Sequence, residues 1–314
     1  MAGLVLRRIR DLVIVLFLVG TAMFFIIHLI PGNPAIALLG PYATQEQIAD
    51  LTASLGLDQP LFTQYVTWLG NLVQGDMGSS LIFAQPVLPV ILDHVTPTIL
   101  LALGSTIISA VIAVPLAIHA AAKPRSLWAR MVTPVTAFGL AMPSFWLALV
   151  LVLVFGVIFQ VLPTSGYVDF GSDPGEAVKY LVLPIVVLVA HQAALFVATL
   201  RESMSGELLS LYLRSARAKG VRERGVLYRH ALPNALLPAI TVIGSSFGNV
   251  LGGVVVIETV FSIPGWGQLL YNGITSRDYQ LIIGVTLMIA VVYVVVNLIA
   301  DLLYLVADPR VRVR

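Results

Sequence analysis

The run LVIVLFLVGTAMFFIIHLI, residues 12–30, holds 19 residues and no Asp, Glu, Lys or Arg. A helix needs about 20 such residues to cross a hydrocarbon core roughly 30 Å thick. Arg7, Arg8 and Arg10 precede the run and Pro-Gly-Asn-Pro follows it, flanks that a secretory signal would also have, with Ala35 and Ala37 placed like a cleavage site. The apolar core of a signal spans only about 7–15 residues, so the run reads as a first membrane span. The rest of the chain agrees: 58% of its residues are hydrophobic and 11% charged, against roughly 25% charged in an average soluble domain.

Further apolar runs lie at about 97–121, 132–161, 178–200, 233–257 and 281–306, separated by stretches rich in Pro, Gly, Asp or Arg. Six spans result. The run at 132–161 is long for one crossing, and Pro134 and Pro143 predict a kinked or partly interfacial start. Basic residues fall unevenly between the spans: of the 18 Lys and Arg, alternate loops carry 16 and 2. The positive-inside rule then puts both termini and the 201–232 loop in the cytoplasm, and the 31–96 loop outside. The expected architecture is an all-α membrane protein, one transmembrane domain over 1–314, with a structured extracytoplasmic loop at 31–96.

That outer loop has five acids and no Lys or Arg. Gln45 to Leu57 predicts a short helix, Pro60 to Val73 an amphipathic one carrying Phe62, Tyr65 and Trp68, and GDMGSSL at 75–81 a turn. Its negative face is either the ordinary consequence of export or a docking surface for an external partner.

The chemistry-bearing motifs are mostly missing. There is no G-x-x-x-x-G-K-[ST] phosphate loop, no H-E-x-x-H and no G-x-S-x-G, and the chain contains no cysteine. His28, His94, His119, His191 and His230 lack metal-ligand spacing. The residues therefore point to no catalytic, cofactor or metal site, although serines within the spans keep an intramembrane hydrolase in view. An ion-coupled secondary transporter is a third class, and the lack of an internal repeat weighs against it.

Polar residues inside the spans are expensive and tend to face a protein interior or a water path. His191, Gln192, Ser245, Ser246, Asn249 and Asn297 form that set, and Gln192, Ser245, Asn249 and Asn297 are the candidates for a translocation path. Interhelical hydrogen bonding is the equal alternative. Gly244, Gly248 and Gly252 make a flat ridge on the fifth span that favours close helix packing.

The 201–232 loop carries seven of the basic residues. Met204 to Ala218 predicts an amphipathic helix stopped by Gly220. A second short helix follows from Glu223 to Ala231, and Pro233 and Pro238 lead into the fifth span. Two short helices about a glycine turn make an elbow, attractive to anionic lipid or to an acidic protein surface.

At this elbow the chain resembles the membrane subunits of binding-protein-dependent ABC importers, whose loop reads E-A-A-x3-G-x9-I-x-L-P. Ala216, Gly220, Leu232 and Pro233 occupy matching places, while Arg214, Ser215 and His230 depart from the pattern. RSARAKG followed by RHALPNALLPAITVIG is similar to the B-type subunit of the dipeptide and oligopeptide permease branch. LIPGNPA at 29–35, LGLDQPLFTQYVTWLGNLVQGDMGSS at 55–80 and ETVFSIPGWGQLLYNGITSRDYQ at 258–280 extend the resemblance over the chain.

The resemblance implies a non-catalytic permease subunit in a bacterial plasma (inner) membrane. It would import short peptides, or by the same machinery nickel or another small solute. Implied partners are a second homologous permease, two ATPase subunits that bind ATP and magnesium, a solute-binding protein outside, and membrane lipid; nucleic acid is not among them. Ala216, Arg217, Lys219, Gly220, His230, Leu232 and Pro233 would couple to an ATPase. Phe261, Ile263 and Pro264 would form an outer gate.

Overall fold

The computed structural model describes residues 2–29, 34–39, 42–54 and 56–307. In chain order the helices are α1 (Ala2–Leu29), α2 (Pro34–Leu39), α3 (Gln45–Ser54) and α4 (Leu61–Val73). A hairpin of β1 (Ser79–Ser80) and β2 (Gln85–Pro86) then leads to α5 (Val87–Asp93), α6 (Val95–Ala122), α7 (Leu127–Ala141) and α8 (Ser144–Leu151). After a π-helical turn, Val152–Ile158, come α9 (Pro174–Glu207), α10 (Leu211–Ala218) and α11 (Glu223–Gly225). A second π-helical turn, Val226–Ala231, runs into α12 (Leu232–Phe261), followed by α13 (Trp266–Ser276) and α14 (Tyr279–Ala307). Among the described residues, five helical stretches are long and apolar enough to cross a membrane, and up to seven spans result if each bent pair counts as one.

The chain folds as two compact units, one of residues 1–98 with 264–294 and the other of 99–263 with 295–314. In the first unit, α4 lies against α1 through Tyr65 and Trp68, while Phe62, grouped with them by the spacing, is 74% exposed. Phe24, Ile27, Trp68, Tyr279, Ile282, Ile283 and Leu287 form the buried cluster, and the Tyr65 and Thr21 hydroxyls pair at 2.9 Å. A second cluster joins α5, α13 and α14 around Trp266 and Leu281. The Trp266 indole N–H donates to the carbonyl of Ile91 and its backbone N–H to the Thr98 hydroxyl, both at 2.8 Å.

The turn expected at 75–81 belongs to a hairpin that is fastened from the far end of the sequence. Asp278 is fully buried and caps α14 by accepting the Leu281 N–H at 3.1 Å. Its other oxygen accepts the Ser80 hydroxyl at 2.6 Å and the Leu81 and Ile82 N–H groups at 2.7 and 3.2 Å. A buried carboxylate is tolerated where donors surround it in this way. The LIPGNPA segment falls largely outside the described residues, which resume at Pro34.

In the second unit, α9 packs along both α12 and α7. Within the long apolar run at 132–161, α7 continues through Pro134, and the helix breaks at Met142–Pro143, where the stretches on either side meet at 101°. The cause is local. A proline forces the preceding residue out of helical geometry, and Met142 accordingly adopts φ −78°, ψ 125°. The glycine ridge is used at one end: a Cβ at Gly244 would stand 2.5 Å from the Ala300 methyl of α14, whereas one at Gly252 would meet nothing within 4 Å.

Gly244→Ala should therefore overpack α12 against α14 and destabilise the fold by about 1–3 kcal/mol. The double variant Gly244→Ala with Ala300→Gly should recover most of the loss. Thermal unfolding of the detergent-solubilised protein measures both, and equal losses in the single and double variants would refute the contact.

Candidate functional site

The elbow between α9 and α12 differs in detail from its sequence reading. Met204 to Ala218 is not one helix: α9 continues to Glu207, the chain turns through 208–210, and α10 begins at Leu211. The Glu223 to Ala231 helix is present as α11 and the π-helical turn, and continues into α12 without a gap, so that Pro233 lies within one continuous helical stretch.

Gly220 closes α10 at φ +79°. The Gly220 N–H donates to the Arg217 carbonyl at 3.0 Å and the Val221 N–H to the Ala216 carbonyl at 3.2 Å. These are the two bonds of a Schellman cap, which needs a left-handed residue that glycine supplies without strain. Across the turn the Arg217 guanidinium donates to both Glu223 oxygens, at 2.9 and 3.1 Å, and holds that carboxyl below its ordinary range. The pair is half exposed, so its contribution is at most about 1 kcal/mol; it is lost as falling pH protonates Glu223.

What fixes the elbow to the helices beside it is apolar. Leu213, Val226 and Ala231 are completely buried with Ala117 and Ile118 of α6, Leu200 and Met204 of α9, and Ala235 of α12. Leu232 packs against this cluster from its edge. Tyr212 adds a polar stitch: its hydroxyl donates to Glu207 at 2.7 Å, accepts from the Asn234 amide at 2.8 Å and lies 3.2 Å from the His230 carbonyl. Burial, then the Glu207 carboxylate, raises the phenol above its ordinary value, which keeps the donor proton in place. Arg214, Lys219, Arg222 and Arg224 remain exposed, and so do the apolar side chains of Leu209 and Leu211, at 73% and 75%.

Of the candidate path residues, Gln192 and Asn249 come together. They line a cavity of about 340 Å³ with His191, Ser246 and the Met142–Ser144 break. Gln192 is also an interhelical tie to α6, donating to the Thr106 hydroxyl at 3.2 Å and accepting from Ser109 at 3.5 Å. The Ser245 side chain lies outside the described residues. Asn297 is elsewhere, with its amide oxygen 3.8 Å from where a Gly244 Cβ would stand. Of the gate candidates, Phe261 and Ile263 are buried core residues at 1% and 0% exposure, while Pro264 is exposed. The Phe261 carbonyl accepts the Gly166 N–H at 2.8 Å.

Sequence reasoning missed the residues that anchor the elbow, Tyr212, Leu213, Val226 and Asn234. Leu213 carried the only usable signal, an apolar side chain three residues before Ala216 on a basic helix. The cavity-making role of Pro143 and the clasp by Asp278 were equally invisible, because each depends on partners far away in the chain.

Two families match this chain. "Binding-protein-dependent transport system inner membrane component" covers residues 113–313, and the N-terminal "Binding-prot-dependent transport system membrane comp" covers 1–102. The "Probable peptide ABC transporter permease protein y4tP" of Sinorhizobium fredii is 36% identical over 98% of both chains. The "Oligopeptide transport system permease protein AppB" of Bacillus subtilis is 36% identical over 99% of both. A "Putative peptide permease protein" of Brucella suis is 40% identical over 93% of both. The chain belongs to the family of binding-protein-dependent transport system inner membrane components. It is accordingly a multi-pass inner-membrane protein and the membrane-spanning permease subunit of such a system.

Leu213→Ala should cost about 2–5 kcal/mol, as a fully buried leucine, and loosen the elbow before the spans. Tyr212→Phe should cost about 1 kcal/mol and leave Asn234 without that acceptor. Limited proteolysis within 207–225 tests both: cleavage should be much faster in Leu213→Ala and modestly faster in Tyr212→Phe. Unchanged cleavage in both would refute the anchoring.

Proposed function

We propose that this chain conducts short peptides across the inner membrane as the B-type permease of an ATP-driven importer. The observation that carries the substrate class is similarity along nearly the whole chain to relatives named for peptides and oligopeptides. The subunit itself is non-catalytic. A second homologous permease completes the path, a solute-binding protein delivers peptide from outside, and two ATPases inside bind ATP and magnesium.

Six spans with both termini in the cytoplasm agree with the division of Lys and Arg between alternate loops, 16 against 2. The 31–96 loop then meets the binding protein, and the 201–232 elbow docks on an ATPase. Support for the docking is the composition of the exposed elbow: basic side chains beside solvent-facing Leu209, Leu211 and Tyr228. Exposed apolar groups flanked by charge suit a protein groove better than water. Ala216, Arg217, Lys219, Gly220, His230, Leu232 and Pro233 serve this coupling, some by contact and some, as Ala216 and Leu232, by holding the shape.

Force reaches the spans because the elbow shares one buried cluster with the ends of α6, α9 and α12. Phe261, Ile263 and Pro264 close the outer end; two of them do so from within the core, so that gating moves the end of α12 as a body. Gln192 and Asn249 border the path at the cavity, and Ser245 and Asn297 extend it along α12 and α14.

Reconstitution of the complex in liposomes tests the reading: peptide uptake should require the binding protein and ATP. Gly220→Val should reduce uptake at least tenfold and release the ATPases on purification, because a β-branched residue is strained at positive φ. Gly220→Asn should retain most of both, since Asn adopts that conformation readily. Normal uptake by Gly220→Val, or uptake by this chain alone on an ion gradient, would overturn it.

A further inference from the structure

The cavity beside the Met142–Pro143 break lies wholly within one unit of the chain. At about 340 Å³ it falls at the low end of the ~300–1,000 Å³ of small-ligand sites. Its walls are largely apolar, with Leu140, Val187, Leu188, Leu195 and Val250 among them. Five side chains capable of hydrogen bonding line it: Ser144, His191, Gln192, Ser246 and Asn249. Two are engaged, Gln192 with Thr106 and Ser109 and Ser246 with the Ile243 carbonyl at 3.0 Å.

His191 and Asn249 are different. Both are exposed, and neither side chain hydrogen-bonds to any described residue. His191 stands at the midpoint of the 34-residue α9, the depth at which an imidazole facing lipid would be least tolerable. Among the described residues it is also the one titratable side chain lining this cavity or the neighbouring apolar one between α7 and α9. Its neighbours on α9, Gln192 and Ala194, are buried at 3% and 6%. The helix thus turns its polar exposed position to the cavity while the adjoining positions pack.

We infer that His191 and Asn249 are the pair through which this chain recognises the backbone of a passing peptide. The Asn249 amide offers one carbonyl and one NH₂, the complement of a peptide unit, and the imidazole N–H donates to a peptide carbonyl or to the terminal carboxylate. The apolar walls give side chains no directional contact, so recognition tolerates peptide sequence and favours a free carboxyl end. This rests on the peptide reading above and adds to it the chemistry that is read and the residues that read it.

The chain contains no cysteine, so His191→Cys and Asn249→Cys each place a single thiol in this subunit. In the assembled complex in proteoliposomes, a hydrophilic methanethiosulfonate reagent should label both thiols, excess dipeptide should slow the labelling, and labelling should block uptake. Separately, His191→Ala and Asn249→Ala should each raise the KM for dipeptide uptake roughly tenfold, the scale of one charge-assisted hydrogen bond, with dipeptide affinity of the solute-binding protein unchanged. His191→Ala should also erase most of the preference for a free over an amidated carboxyl end. Peptide uptake by the wild-type complex together with inert thiols, or with unchanged KM in both Ala variants, overturns this inference alone. Absence of any peptide uptake by the wild-type complex overturns the functional reading on which it stands.

Discussion

Hydrocarbon offers no water to a free peptide N–H or carbonyl, and that constraint bears directly on the helix break at Met142–Pro143. Where α7 ends at Met142, the lost helical bonds face a cavity bordered by Ser144, His191, Gln192, Ser246 and Asn249. At this break the irregular backbone occurs where polar side chains gather. The two π-helical turns adjust helix register while keeping the backbone bonded. A helix can therefore be bent or rotated in such a setting only where side chains or a wet cavity receive what the backbone gives up.

The elbow obeys a different rule, because much of its surface is exposed. Its backbone could be solvated in many conformations, and one shape persists only because three side chains, Leu213, Val226 and Ala231, are completely buried. The Schellman cap at Gly220 sets the turn angle, and the apolar cluster sets where the turn points. The Arg217 to Glu223 pair, half exposed, contributes little beside them. Stiffness in a short exposed motif thus derives from a few buried methyl groups and one permissive φ.

Much of this was legible in the sequence because spans and caps are local. Run length indicated the membrane class, Gly220 a cap, and Tyr65 and Trp68 the packed face of α4, from which Phe62 turned out to be excluded. The helix break at 142–143 was half legible: Pro143 announced a bend but could not place it against Pro134, which α7 absorbs. Illegible features join distant positions. Nothing near Asp278 reveals that its carboxylate fastens a hairpin, nothing near Phe261 reveals that it is core, and Met204 to Ala218 looked continuous because α9 and α10 share an amphipathic pattern across the turn at 208–210. Gln192 and Asn249 were singled out by the cost of polar atoms in lipid, whereas their common cavity needed the packing of α9 on α12.

The Asp278 clasp also imposes an order of assembly. Its partner Ser80 precedes it by 198 residues, so during synthesis the hairpin leaves the ribosome long before its acceptor exists. For that interval the Ser80 hydroxyl and the Leu81 and Ile82 N–H groups lack this acceptor. Arrival of α14 supplies the carboxylate and the apolar partners of α5 together, including the close approach at Gly284, where a Cβ would stand 2.5 Å from Val87. The early-made hairpin is consequently completed only when α14 has been made, so a chain that stops short of α14 lacks the clasp.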